Sequence, residues 1–322
     1  MPATHLLISS IKDEGPFLLE WVAHHLSLGF ARIIVASNDC SDGSDDLLGA
    51  LDRLGVISHV PHVSAPGEAP QHAGYAAIRA AHAVDRADWL MMLDADEFLN
   101  VHAGGHRVAD LTALAPPEVD AIALNAVTFA GGVGRWRPGR VTSRFRARLP
   151  LGHKANSALK TLTRDPSRFR VLHNHSPVGF REARGLRVMG GNGLMRELPA
   201  GEPLWKSLRS APARSGVHRL AQVNHYATKT WDSFLLRRAR GRGAVAPAAG
   251  GPERHTDAYW AERARPDGEE TSIGRYDGAV AAQVAQLLAD PAVRRAQEAC
   301  EALHAERARA ALQASGWRQD AE

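Results

Sequence analysis

Trp89 to Leu99 read WLMMLDADEFL: five apolar residues, then two aspartates that one alanine separates. An unbroken apolar run of this length is typical of a strand that is buried on both faces of a sheet. While the chain stays extended, the side chains of Asp94 and Asp96 would point to the same side, because they lie two residues apart. The stretch therefore predicts a buried strand that ends in two converging carboxylates.

The residues before this stretch alternate short apolar runs with longer helical patterns. Strands are predicted at 5–8, 32–36, 56–60 and 89–93, and helices at 16–28, 45–54 and 75–84. This alternation predicts an α/β fold, a Rossmann-like, mostly parallel sheet with helices on both faces. In an open α/β sheet the ligand crevice lies beyond the carboxyl ends of the strands, so Asp94 and Asp96 would emerge there.

The rest of the chain is less regular. Strands are predicted at 120–129 and 169–173, a flexible loop at 131–134, a long functional loop or lid from about 179 to 215, and helices at 231–240 and 278–314. Gly, Ala and Pro dominate residues 241–252, which reads as a linker. We predict one α/β domain over residues 1–245, and over 246–322 a linker and a C-terminal helical extension.

Composition narrows the class of protein. A chain of 322 residues with 44% hydrophobic content is long enough for one large core. Its 39 Lys and Arg against 35 Asp and Glu leave a net charge of +4 without a basic block, so no nucleic-acid partner is expected. Cys40 and Cys300 have neither disulfide nor zinc-site spacing, which fits a reducing cytoplasm. No window approaches the ~20 apolar residues of a membrane span, so at most peripheral association with the inner membrane face is expected.

The aspartate pair predicts a metal site. Two neighbouring carboxylates repel each other unless a cation lies between them, and a hard divalent ion such as Mn²⁺ or Mg²⁺ suits oxygen ligands. Such an ion keeps positions open for phosphate oxygens and neutralises charge on a departing nucleoside diphosphate. The alternative is that Asp94 and Asp96 merely cap a following helix.

Four ordered segments resemble motifs of one enzyme family. Residues 89–99 resemble the DADEF-type signature of the family 2-like and family 92-like glycosyltransferases of the GT-A fold. Residues 12–29 resemble the family's opening motif, residues 37–44 its DNxSxDGS turn, and residues 224–231 its NHYxTKS segment. The resemblance covers about two thirds of the chain. It implies transfer of a hexose from a nucleotide-diphosphate sugar, UDP-sugar above all, to a saccharide or lipid-linked saccharide in polysaccharide or glycoconjugate synthesis.

The resemblance also implies roles for residues of the donor site. It implies that Asp39 hydrogen-bonds the nucleotide base with Asp42 as a neighbour, against the alternative of an ordinary Asx turn. Lys12 and Glu14 follow the first strand and would contact the nucleotide, against the alternative of solvated loop charges. Lys160 and Lys229 would contact the diphosphate, against the alternative of exposed lysines.

A third metal ligand and a catalytic base are harder to assign. The resemblance implies that a late histidine completes the metal shell, with His173 preferred and His225 competing, and an imidazole suits Mn²⁺ better than Mg²⁺. The base for an inverting transfer stays unassigned, because Asp165, the one carboxylate between residues 129 and 180, is followed by Pro166 and does not match the family pattern.

Other protein classes remain open. A haloacid-dehalogenase-like phosphatase also places two aspartates after an apolar strand, but that motif normally opens the chain and does not continue with Glu and Phe. A sugar nucleotidylyltransferase needs a Gly-rich loop after the first strand, where only Gly15 is present. A non-catalytic nucleotide- or carbohydrate-binding protein on the same scaffold is the remaining alternative.

Overall fold

A computed structural model describes residues 3–132, 134–214, 216–241, 243–244 and 254–316. The strands are β1 (His5–Ile11), β2 (Arg32–Ser37), β3 (Ser58–Pro61), β4 (Trp89–Met92), β5 (Glu97–Val101), β6 (Ala121–Thr128), β7 (Leu159–Arg164), β8 (Phe169–Val171), β9 (Val178–Phe180), β10 (Leu186–Gly190), β11 (Met195–Leu198) and β12 (Ala221–His225). The helices are α1 (Gly15–Leu28), α2 (Ser44–Arg53), α3 (Pro70–Ala81), α4 (Val108–Ala113), α5 (Val141–Arg144), α6 (Leu204–Ser207), α7 (Trp231–Arg240), α8 (Asp257–Arg263), α9 (Asp277–Leu288) and α10 (Pro291–Ala314).

The main sheet follows the order β11-β10-β6-β7-β4-β1-β2-β3. The strands β3, β2, β1 and β4 are parallel neighbours. Next to them, β7 runs antiparallel between β4 and β6. The strand β12 pairs in parallel with β6 and antiparallel with β5. The predicted α/β class, with a mostly parallel sheet between helices, is confirmed.

Helices cover both faces of this sheet because successive strand residues point to opposite sides. Leu7 packs into a core with Trp21 of α1 and Leu47 of α2. Its neighbour Ile8 packs into a second core with Tyr75 of α3. This two-sided burial explains why the first, second and fourth strands read as continuous apolar runs.

The helix α10 packs against α1, α2 and α7. On it, the buried thiol of Cys300 fills the space beside two glycines. A Cβ atom on Gly15 would lie 2.6 Å from Cys300 Sγ, and one on Gly43 would lie 3.1 Å from it. The close approach of α10 to the beginnings of α1 and α2 therefore requires residues without a side chain at these positions.

The prediction of a long loop from 179 to 215 was wrong. These residues contain β10, β11 and α6, and β10 extends the main sheet by pairing in parallel with β6. Leu186 and Val188 of β10 are buried. The strands were missed because each is short and is separated from the next by glycine, which the sequence pattern assigns to a loop.

Smaller boundaries also differ from prediction. The strand that begins at Phe169 ends at Val171 and forms a separate two-stranded sheet with β9. The helix expected at 75–84 begins at Pro70, whose fixed φ suits a first helical turn. The helix expected at 278–314 is two helices, because Asp290 caps α10 by accepting hydrogen bonds from the amides of Ala292 and Val293.

Two predictions fall partly outside the described residues. Most of the proposed linker at 241–252 and the proposed domain boundary at 245 lie there, so the division into two domains stays a prediction. Among the helices that the structure describes, none is both long enough and apolar enough to cross a bilayer.

Candidate functional site

The carboxyl ends of β1, β2 and β4 open into a cavity of about 1130 Å³. Five of the predicted site residues line it: Lys12, Glu14, Asp39, Asp94 and Asp96. Parallel strands place their carboxyl ends at one sheet edge, which is why residues so far apart in sequence meet here. We call this space the main cavity.

Asp94 lies on the turn between β4 and β5, and its side chain is 36% exposed. Its Oδ1 accepts a hydrogen bond of 2.5 Å from Gln71 Nε2, and its Oδ2 lies 3.3 Å from Lys160 Nζ. The strand β5 follows immediately, so the alternative that the two aspartates cap a helix is wrong.

Asp96 is buried and makes different contacts. Arg237 on α7 donates to its Oδ2 through Nη1, and His225 Nε2 lies 3.5 Å from the same oxygen. Burial opposes ionisation of Asp96, but the charge of Arg237 and the contact with His225 outweigh it and hold the pKa of Asp96 well below its usual value. Each aspartate is thus paired with its own cationic side chain.

Strand pairing brings His225 to this position. In the antiparallel pair of β5 and β12, His225 lies opposite Glu97, and the amide of Tyr226 donates to the Asp96 carbonyl at 2.8 Å. His173 is not among the residues that line the main cavity, and its ring is 4.4 Å from that of His72, measured between centroids. The structure therefore brings the competing histidine, His225, to Asp96.

Lys160 is buried beneath the main cavity, contrary to the alternative of an exposed lysine. Its Nζ lies 2.7 Å from Glu97 Oε2 as well as 3.3 Å from Asp94. Burial raises the pKa of Glu97 to about 7, although the charge of Lys160 opposes the shift. Glu97 belongs to the predicted motif, but its ion pair with Lys160 was not predicted, because the two residues come from different strands.

The loop after β1 is held by Arg240, which also lies on α7. Its Nη1 donates to Glu14 Oε1 at 2.7 Å and to the carbonyl oxygens of Lys12 and Asp13. Burial opposes ionisation of Glu14, but Arg240 and then Lys229 lower its pKa. Arg237 and Arg240 are three residues apart and share one helix face, the only signal in the sequence that could have revealed them.

Backbone strain occurs in the loops that follow β1 and β2, as it does at three other described residues. Asp13 has φ of 50° and Asp39 has φ of 47°, in the left-handed region that side chains usually avoid. Lys12 Nζ lies 4.0 Å from Asp39 Oδ2 across the gap between these loops. Strained backbone of this kind concentrates at ligand-binding sites.

Besides the buried Lys160, two predicted donor-site residues do not line the main cavity. Asp42 accepts hydrogen bonds from the amides of Gly15 and Ser44, at 2.8 and 3.0 Å, and so ties α1 to α2. Lys229 is buried with its Nζ 3.8 Å from Glu14 and 4.3 Å from the centroid of the Phe17 ring. Both line a smaller cavity of about 250 Å³ between α1, α7 and α10.

The sequence of this chain is similar to those of two proteins whose enzyme class is named. One match is a glycosyltransferase family 92 protein of Oryza sativa subsp. japonica. The two sequences are 25% identical over 231 residues, which cover 70% of this chain. A second match, 29% identical over 198 residues and 56% of this chain, is a glycosyltransferase family 92 protein of Ricinus communis. The chain resembles two glycosyltransferases. It spans 33% of the length of each relative.

Comparisons with family models and with solved structures carry less information about the class of this protein. No family model matches the chain. One similar solved structure is that of TarS from S. aureus. The match covers 54% of this chain and 28% of the TarS chain, with a TM-score of 0.28 and 12% sequence identity. The sequence matches support the predicted enzyme class, a glycosyltransferase, over the phosphatase. The finer assignment to a DADEF-type subgroup stays a prediction.

Proposed function

We propose that this protein is a metal-dependent glycosyltransferase that moves a hexose from a nucleotide-diphosphate sugar, UDP-sugar above all, to a saccharide acceptor in polysaccharide or glycoconjugate synthesis. One observation carries the proposal: Asp94 and Asp96, at the carboxyl end of β4, line the main cavity together with Lys12 and Asp39. The similarity to two proteins named glycosyltransferases supports it.

The size of the main cavity fits a reaction between two substrates. Pockets for one small ligand occupy roughly 300–1,000 Å³. At about 1130 Å³ the main cavity exceeds that range, so a nucleotide sugar and part of a saccharide fit together. The nucleotide would lie toward Lys12 and Asp39, on the side where the loops after β1 and β2 meet.

Asp96 and His225 are suited to hold Mn²⁺ or Mg²⁺. Their Oδ2 and Nε2 atoms are 3.5 Å apart. Neighbouring ligands of an octahedral ion with bonds of about 2.1 Å lie roughly 3 Å apart, so small movements would bring both atoms onto one ion. A mixed oxygen and imidazole pair favours Mn²⁺. When bound, the ion would supply positive charge to the departing nucleoside diphosphate.

The protein alone would not saturate such an ion. Within the part of the chain that the structure describes, no cluster of three or more His, Cys, Asp or Glu side chains is arranged as a metal site. Diphosphate oxygens and water would complete the shell, as is usual for these ions at phosphate sites. Arg237 donates a hydrogen bond to the same Asp96 oxygen that would bind the ion. The ion would displace Arg237 from this oxygen, and the guanidinium would then be free to contact the diphosphate.

The experiment is a thermal-shift assay with UDP, GDP or ADP, each with and without Mn²⁺. A ligand that binds only the folded protein raises its melting temperature. We expect UDP with Mn²⁺ to stabilise the protein, and Asp96→Asn to lose this stabilisation. The matched control is Glu298→Gln, the same chemical change at an exposed site on α10.

Asp94→Asn provides a second variant, because Asp96 also balances Arg237 and its loss could unfold the chain. Asp94 is partly exposed, so its substitution tests the site with less effect on folding. Slow release of UDP from UDP-glucose by the protein with Mn²⁺ would support a transferase. Stabilisation by none of the nucleotides, or phosphate release from p-nitrophenyl phosphate, would contradict the proposal.

A further inference from the structure

We infer that the saccharide acceptor carries a negative charge, and that Lys154, Trp205, Lys206 and Arg209 recognise it. These four residues, which we call the basic wall, line the main cavity together with Asp94 and Asp96. The inference rests on the proposed function, because it takes the donor to occupy the side of the cavity near Lys12 and Asp39.

Trp205 supplies an apolar surface in this wall. Its side chain is 51% exposed, although tryptophan is usually largely buried. The preceding residue, Leu204, is buried and anchors α6 to the protein, so the neighbouring indole faces the cavity. A flat indole with one open face suits the C–H face of a pyranose ring, since it combines apolar area with little side-chain flexibility.

The cations of the basic wall have few carboxylates to neutralise them. Across the described ranges, neither Lys206 nor Arg209 forms a salt bridge. Lys154 Nζ lies 3.4 Å from Glu262 Oε1, but its side chain is 80% exposed, and Glu262 is shared with His153. A concave surface with unbalanced positive charge attracts anions.

The acidic residues of the main cavity do not offset this charge, because each has a cationic partner. Glu14 pairs with Arg240, Asp39 with Lys12 and Asp96 with Arg237, while Asp94 and Glu97 share Lys160. Lys206 and Arg209, which have no such carboxylate among the described residues, therefore add positive charge that the acidic residues of the main cavity do not neutralise.

Two hydrogen bonds hold together the backbone segments of the basic wall. The amide of Leu159 donates to the Arg209 carbonyl at 3.0 Å, and the amide of Ala211 donates to the Ser157 carbonyl at 2.8 Å. These bonds join the segment that carries Lys154 to the segment that carries Lys206 and Arg209. The backbone that carries the charged side chains is thus positioned before any ligand binds, which lowers the entropy lost on binding.

An anionic membrane surface is the competing partner for basic and aromatic residues. Leu151, which is 46% exposed, precedes this wall and would favour a lipid surface. However, Trp205, Lys206 and Arg209 line a concave cavity that is continuous with the aspartate pair. A bilayer meets a protruding or flat surface, whereas a chain of sugars enters a cavity, so the saccharide is favoured.

The test compares trigalacturonic acid with its fully methyl-esterified form, which has the same backbone without charge. Binding is measured by titration calorimetry in the presence of UDP and Mn²⁺. We expect the acid to bind roughly tenfold more tightly than the ester, the combined effect of two exposed ion pairs. The difference should largely disappear at about 0.5 M NaCl, where exposed charges are screened.

Variants assign the effect to the basic wall. Lys206→Ala combined with Arg209→Ala should remove the preference for the acid but keep the stabilisation by UDP with Mn²⁺. The matched control combines Arg294→Ala with Arg295→Ala, two exposed arginines on α10, and should keep both. Trp205→Ala should weaken binding of acid and ester alike, and Trp205→Phe should restore part of it.

The charged group can be a carboxylate or a phosphate, so N-acetylglucosamine 1-phosphate is compared with N-acetylglucosamine in parallel. A preference for either charged probe that depends on Lys206 and Arg209 supports the inference. Equal binding of charged and neutral probes, or binding to phosphatidylglycerol vesicles lost in the double variant without any saccharide preference, would overturn it. Absence of the UDP effect in the unmodified protein would instead count against the proposed function.

Discussion

Replacing Lys160 by Met tests how the floor of the main cavity balances charge. The side chain of Lys160 is 4% exposed, and its Nζ lies 2.7 Å from Glu97 Oε2. Methionine keeps the length of the side chain and removes its charge. Lys160→Met therefore leaves Glu97 buried without its nearest cation, and we expect a loss of stability that grows with pH.

The size of the effect follows from the pKa of Glu97, which burial raises from 4.5 to about 7. A raised carboxyl pKa means that the folded state binds the proton more tightly, so this contribution to stability falls as pH rises from 4.5 to about 7. Without Lys160 the pKa rises further, and the fall continues above pH 7. Each pH unit adds about 1.4 kcal/mol, so Lys160→Met should cost roughly 2 kcal/mol more at about pH 8.5 than at about pH 5.5.

Urea denaturation followed by far-ultraviolet circular dichroism measures this difference at the two pH values. Lys206→Met is the matched control, because the same substitution at an exposed position removes no buried ion pair. We expect its effect to be small and independent of pH. An equal loss of stability for Lys160→Met at both pH values would refute the reasoning that Lys160 holds the charge of Glu97.

Two further predictions concern α10. Gly15→Ala should destabilise the protein by about 1–3 kcal/mol, because the new Cβ would lie 2.6 Å from Cys300 Sγ. Adding Cys300→Ala should recover part of that loss in urea denaturation, and simple additivity of the two losses would contradict the proposed contact. Arg307 donates to the Ser41 carbonyl at 2.6 Å, so Arg307→Ala should weaken UDP binding in calorimetry with little change in melting temperature. Unchanged UDP affinity would show that the loop at Ser41 does not depend on this contact.

The first half of the sheet was predictable because its strands are determined locally. The runs that became β1, β2 and β4 are buried on both faces, so their apolar character is continuous in the sequence. By contrast, β10 is short and lies next to β6 only through pairing between residues such as Val188 and Ala121. Local patterns carry little information about pairing over such a separation.

The same distinction applies to the candidate site. Asp94 and Asp96 were found because they directly follow a recognisable strand. Their partners were not, since Arg237 is 141 residues from Asp96 in sequence, and no local pattern relates the two. The exposed-lysine alternative was wrong for Lys160 for the same reason, because its burial depends on strand neighbours and not on its own surroundings in sequence.

The contact between Arg307 and Ser41 joins residues that are 266 positions apart. A chain emerging from the ribosome therefore makes the turn after β2 long before the helix that steadies it exists. The sheet has its apolar residues early, but the end of the main cavity where we propose that the nucleotide binds gains its contact with Arg307 only once synthesis has passed α10. Nascent chains released before α10 is synthesised should fold much of their core and still fail to bind UDP. The protein would therefore fold before it is able to bind its ligand.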